Sequence, residues 1–452
     1  MPALRRIAHD AAAILVGQLA TIGFGVADTV MAGRYASVDL AALSVGIALY
    51  VSLYIGASGI VQALIPIVGH HRGAGEDLQV GEAFRQTVWL ALAVSLPGLL
   101  LMRWPDLLLG LTGAPPEVLA RARDYLGWQA WGLPLALLFR CYTGLNQGIS
   151  KPLLVTLLQL GALALKLPLN RWFIFGGAGL PPQGVAGCAM ATLAINAALV
   201  LVAAAMLLRH PIYRPFRLWQ GWHGPRWSVQ KELLRLGLPS GASYFVEVTA
   251  FTLMAVFIAR LGTTAVAGHQ IVSNLASVLY MLPLSIAIAT GAQVSQLRGA
   301  GRIEEARHAG WQGIGLAVCL SVALGGLVYL LRGAVVALYS TDPAVQAVAS
   351  GLIVYIALYQ LGDATQVTAA FALRSFRVAM LPAAVYVVAL WGFGLGGGYA
   401  LGFNVGGQVP PALQGPAGFW FANAAALALV ALVLVLLWRS LARRGLQRPG
   451  RD

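Results

Sequence analysis

Charge is scarce in this chain. Of its 452 residues only 10% are Asp, Glu, Lys or Arg while 59% are hydrophobic, a balance that excludes a soluble globular domain. Cysteine is scarcer still: Cys141, Cys188 and Cys319 each stand alone in an apolar segment, without the paired spacing of a disulfide framework or a zinc site, and read as small core residues. A Ser/His/Asp set, a paired-Cys site and a phosphate loop following a strand are all missing, which argues against an enzyme and against an ATP-driven pump. The formal net charge of +14 is explained by positive-inside loops, so no nucleic-acid partner is expected.

What the chain has is apolar length. A window of about 20 residues gives twelve candidate membrane helices, at 11–33, 41–68, 84–104, 119–143, 153–175, 184–208, 234–258, 268–294, 309–331, 344–373, 378–400 and 417–438. The fourth is the least apolar, because Arg121, Arg123 and Asp124 crowd its start and Arg140 its end. The opening MPALRRIAHDAAAILVG resembles a signal peptide, yet the apolar run continues past cleavable length and reads as a retained first helix. An even number of spans puts both termini on one side. Assigning them to the cytoplasm collects 21 of the 30 Lys and Arg there, including six from Arg209 to Arg235 and five from Arg439 onward.

The chain also repeats itself. RGAG at Arg72–Gly75 recurs at Arg298–Gly301, an offset of 226 residues, and the same offset pairs GRYASVDLAAL with ARLGTTAVAGH. GLNQGISKP and FALRSFRVAMLP form a looser third pair, shifted by about two residues. Six spans per repeat is an even number, so the halves are expected to be related by an axis along the membrane normal. The expected fold is an all-α integral membrane protein of twelve transmembrane helices, arranged as two pseudo-symmetric six-helix bundles around a central cleft. Residues 1–208 form the first lobe, 209–233 a cytoplasmic linker and 234–452 the second lobe. Trp219, Trp222 and Trp227 in the linker are either headgroup anchors or part of a solvated loop.

Three carboxylates interrupt the apolar spans: Asp28, Glu247 and Asp363. A charge at mid-helix costs about 2.5–3.5 kcal/mol by insertion scales, so such residues face a cavity or a partner and mark function. At ~1.5 Å per residue, Glu247, Asp363 and Tyr280 lie at one depth near mid-membrane and can share a site. Phe251 is one turn from Glu247; Tyr359, Gln360 and Gln366 fall on the Asp363 face; Gln270 and Asn274 form a polar stripe on the eighth helix. Hard oxygens suit Na+, the rings of Tyr280 or Phe251 attract a cation, and two carboxylates can instead hold a proton. The residues alone leave Na+ and H+ both open. Asp28 lies in the outer part of the first half, at a depth Asn170 can reach.

Four strings in order, GVADTVMAG, FVEVTAF, HQIVSNLASVLYMLP and GDATQVTAAFALRSF, resemble the multidrug and toxic compound extrusion (MATE) family in its NorM-like branch. The resemblance covers essentially the whole chain. It implies a bacterial inner-membrane antiporter, monomeric in membrane lipid, that exports small organic and often cationic drugs in exchange for Na+ or H+, with no cofactor besides the coupling ion. It also implies that Asp28, Glu247 and Asp363 occupy essential acidic positions. The chain departs from the family one turn before Asn170, where Lys166 replaces an amide. Lys166 can climb ~6 Å along its stem to the Asp28 level, so the pair is expected to neutralise itself. The alternative is a flippase for lipid-linked sugar or polysaccharide, favoured only by Lys166 and Arg140. A channel or scaffold would need no mid-depth carboxylates.

Overall fold

The computed structural model describes residues 3–444 apart from 111 and 178. Eleven helices among the described residues are long and apolar enough to cross a membrane: α1 (Ala3–Tyr35), α2 (Ser37–Ala74), α3 (Asp77–Arg103), α5 (Pro152–Phe175), α6 (Val185–Arg209), α7 (Trp227–Ala259), α8 (Thr263–Gly299), α9 (Ile303–Leu330), α10 (Pro343–Ser375), α11 (Met380–Gly402) and α12, whose apolar part is Pro416–Leu441. The remaining span is α4, Pro116–Gly148, the helix the sequence marks as least apolar. Its polar residues turn inward. Gln129, Asn146 and Gln147 are buried, and α4 packs against α2, α3 and α6 as the centre of its half.

The helices overrun the predicted windows because hydropathy detects only the lipid-depth part of a helix. α7 begins at Trp227, seven residues early, and its first turns carry Gln230, Lys231 and Glu232, good helix formers that no apolar window counts. Cys141 and Cys188 are buried as expected, whereas Cys319 on α9 is exposed. In α11 the run Val388–Gly396 is π-helical, and Gly394 there faces Asn423 of α12 so closely that a Cβ would meet its Oδ1 at 3.1 Å.

The duplication has a local physical cause. Gly75 and Gly301 take left-handed φ of 77° and 73°. Behind them Glu76 N donates to His71 O and Arg302 N to Leu297 O, each at 2.9 Å. These are Schellman closures, which satisfy the last carbonyls of α2 and α8 and need a residue that tolerates positive φ. The third pair is built the same way but lies 227 residues apart, one residue out of register. Ser150 and Arg377 adopt φ of 55° and 61°, with Lys151 N to Asn146 O at 2.8 Å and Val378 N to Leu373 O at 3.1 Å.

The described chain divides into two compact units, Val16–Gly241 and Met1–Leu15 with Ala242–Asp452, so the divisions fall inside α1 and α7. In the first unit the segment after α6 is strapped down. A 3₁₀ turn at Pro211–Phe216 buries Tyr213 and Phe216, Arg85 donates to Arg217 O at 3.0 Å, and Trp89 Nε1 donates to His223 O at 3.1 Å. Trp219, Trp222 and Trp227 stay exposed along it. Phe216 O sits so close to Gly81 that a Cβ there would be 2.0 Å away, whereas Gly315 on α9 faces open space. Gly81→Ala should therefore lower the thermal unfolding midpoint in detergent, since overpacking costs about 1–3 kcal/mol. Gly315→Ala should leave it unchanged. Equal midpoints for both variants would contradict the strap.

Candidate functional site

Each unit carries a buried acidic centre built around the carboxylates that interrupt its apolar spans. In the first, Asp28 projects from α1, Lys166 and Asn170 stand one turn apart on α5, and Cys188 and Thr192 stand one turn apart on α6. All of Lys166 and Asn170 and nearly all of Asp28 are removed from the surface. Lys166 Nζ is 2.9 Å from Asp28 Oδ1, and Asn170 Nδ2 donates to the same oxygen at 2.7 Å. The ammonium also donates to Cys188 O at 3.3 Å and to the Thr192 hydroxyl, which passes its own hydrogen to Cys188 O at 2.8 Å. The depth argument thus brings Asp28, Asn170 and Lys166 together.

One residue near that centre escaped the sequence reading. Asp39 in the first turn of α2 is 1% exposed, accepts from Val185 N at 2.6 Å at the start of α6, and pairs with Arg121 of α4. It ties three helix starts together, with its carboxylate against the positive end of α6. The available signal was the cluster of charge at the start of the fourth span.

In the second unit Glu247 (α7), Tyr280 (α8), Gln366 (α10) and Tyr386 (α11) line one cavity with Ser243, Tyr244 and Arg374. Its volume of about 20 Å³ holds a water or a bare small cation but no drug. Gln366 Nε2 donates to Asp363 Oδ1 at 3.1 Å and to Tyr386 Oη at 3.3 Å, and Tyr386 lines the cavity together with Glu247. Two hydrogen-bonded polar groups, Gln366 and Tyr386, therefore stand between the two carboxylates. Asp363 is fully buried, and its Oδ2 has no hydrogen-bond partner; the same holds for both amide atoms of Gln360.

The other expected residues spread out. Phe251 and Tyr359 join Trp420 of α12 in an aromatic cluster, with ring centroids 5.9 to 6.0 Å apart in edge-on contact. Gln270 and Asn274 are exposed on α8 and do not line the Glu247 cavity; Asn274 Oδ1 accepts from Tyr339 at 3.0 Å. His269 is buried against the aromatic cluster and accepts the Trp420 indole hydrogen at 3.2 Å.

The MatE family model matches residues 13–172 and 239–400, most of the chain. The chain belongs to the MatE family. Within it, the chain is 42% identical over 97% of its length to the probable multidrug resistance protein NorM of Aromatoleum aromaticum, 94% of which is covered. It is 36% identical over 99% of its length to the multidrug resistance protein PmpM of Pseudomonas aeruginosa, again covering 94%. The crystal structure of the eukaryotic MATE transporter AtDTX14 superposes with a TM-score of 0.86 over 98% of each chain at 19% identity, a likeness of fold. The twelve-helix MATE architecture expected from the sequence is thus the one this MatE protein has.

Tyr386 is the cavity residue that sequence missed, and beside Glu247 it accepts a hydrogen bond from Gln366. Tyr386→Phe removes one hydrogen bond of about 0.5–1.5 kcal/mol, which should raise the ion concentration for half-maximal transport roughly three- to tenfold. Transport assayed against graded sodium and against graded pH would measure it. An unchanged half-maximal concentration for both ions would mean that the phenol does not support the carboxylates.

Proposed function

We propose that the protein is a monomeric secondary antiporter of a bacterial cytoplasmic membrane, with both termini inside, that exports small organic and often cationic drugs or toxic compounds in exchange for Na+ or H+. The observation that carries the reading is a pair of carboxylates: Glu247 lines a cavity the size of one small ion together with Gln366 and Tyr386, and Gln366 donates to Asp363, whose Oδ2 is left unpartnered. An acid buried at membrane depth is retained where it binds something. The names of the NorM and PmpM relatives support export of drugs. Phe251, the partly exposed member of its cluster with Tyr359 and Trp420, offers a ring suited to an organic cation.

Ion binding can drive export only through a difference in ion affinity between conformations, and in a dry site most of that difference comes from the charged ligands. The flippase reading loses its main support, because the buried cation that favoured it, Lys166, is engaged with Asp28.

Purified protein in liposomes, given a sodium gradient at clamped pH and then a proton gradient at clamped sodium, tests the coupling. Glu247→Gln and Asp363→Asn should each cut gradient-driven export at least about tenfold while the protein still inserts and folds, tenfold being ~1.4 kcal/mol. Normal coupled transport in both variants would remove the site assignment. The orientation has its own test. With the native cysteines replaced, a cysteine at Gln220 should react with an impermeant reagent from the cytoplasmic side and one at Gln408 from outside; both positions are exposed. Labelling of Gln220 from outside would reverse the assigned topology.

A further inference from the structure

The ammonium of Lys166 is wholly buried, and what surrounds it is oxygen. A carboxylate oxygen of Asp28 lies at 2.9 Å, the Cys188 carbonyl at 3.3 Å, and the Thr192 hydroxyl accepts its third hydrogen. Three donors meet three acceptors, so the group is saturated. Carboxylate, carbonyl and hydroxyl are also the hard donors that take the place of water around a small metal cation. Asn170 adds a further one: it donates 2.7 Å to Asp28 while its own Oδ1 is buried without a hydrogen-bond partner. In composition this is a cation cage, and its cation is covalently attached to α5.

We propose that Lys166 is a built-in counter-ion: its ammonium holds the oxygen cage of Asp28, Thr192 and Cys188 against sodium, so that the first half of the chain carries a latent sodium site that takes no ion in the exchange cycle. The inference rests on the antiporter reading only in leaving ion exchange to Glu247 and Asp363. A tethered ammonium meets its cage at an effective concentration that sodium in solution does not reach. Displacing it would leave Lys166 buried without its carboxylate, and separating the partners of a buried pair is strongly unfavourable. The cage therefore stays closed to sodium across the concentrations a cell meets.

Direct binding of radioactive sodium to the purified full-length protein tests this in a Glu247→Gln/Asp363→Asn parent, which lacks the acids of the other half. With Lys166 present this parent should bind no sodium. Adding Lys166→Asn, which withdraws the ammonium and supplies an amide oxygen, should create binding of about one ion per chain, and further Asp28→Asn should abolish it. Sodium binding by the Lys166-containing parent that disappears with Asp28→Asn would overturn the proposal. So would the absence of any gain in a monodisperse Lys166→Asn protein. Because these arms lack Glu247 and Asp363, failure of their assignment leaves these outcomes unchanged. If Lys166→Asn alone does not yield monodisperse protein, the charge-neutral Lys166→Ala/Asp28→Asn pair in the otherwise native chain supplies the arm: it should bind as many sodium ions as the native protein, and loss of an ion would refute the counter-ion role.

Discussion

The rest of the structure is organised around the difficulty of keeping a carboxylate where water cannot reach it. Removing a charge from water costs several kcal/mol even after relaxation, and the cost falls only if a partner or hydrogen bonds replace the solvent. The two halves meet this constraint in different ways. Asp28 receives a full opposite charge from Lys166 and an amide from Asn170. Asp363 receives one amide hydrogen, and Glu247 shares its cavity with the Tyr386 phenol and the Arg374 guanidinium. Asp363 Oδ2 is left buried without a hydrogen-bond partner, whereas Asp28 Oδ1 carries both the ammonium and the amide.

The contrast is informative because the halves are built alike. Asp28 is on α1 and its partners on α5; Glu247 is on α7 and its phenol on α11, the helices that duplication makes counterparts of α1 and α5. The Schellman closures that end α2 and α8, and those that end α4 and α10, fix the helix ends in both halves with matching hydrogen bonds. At the last pair Ser150 and Arg377 hold left-handed backbone without glycine, a strain of roughly 1–2 kcal/mol each, so the geometry outlasted the sequence signal. The scaffold was kept while the chemistry of the acidic centres diverged.

That divergence decides what could be read from the sequence. Twelve spans were legible because hydropathy reports lipid contact, and α4 was the weakest because it touches protein on most sides. Asp28, Lys166 and Asn170 were legible as a group because helical rise fixes depth and a lysine stem has known reach. Tyr386 was not. It lies just before the π-helical turns of α11, in a span with no acid to draw attention to it, and a phenol in an apolar run reads as core. Gln270 and Asn274 mislead for the opposite reason: one turn apart on α8, they form a polar stripe, but spacing does not say which way the stripe faces, and it is exposed.

An exchanger can link two solutes only through groups whose occupancy changes during the cycle. A carboxylate bound to an ammonium on the neighbouring helix has no such change available: its partner cannot diffuse away, so it contributes rigidity and no differential affinity for an ion. The Glu247 and Asp363 centre has the opposite character. Asp363 has an unpartnered oxygen, Glu247 lines a cavity of single-ion size, and Gln366, hydrogen-bonded to Asp363 and Tyr386, lines that same cavity. Within one duplicated scaffold, neutralising one acidic centre from inside concentrates the ion dependence in the other. On the proposed reading, Lys166 is what separates the roles of the two acidic centres.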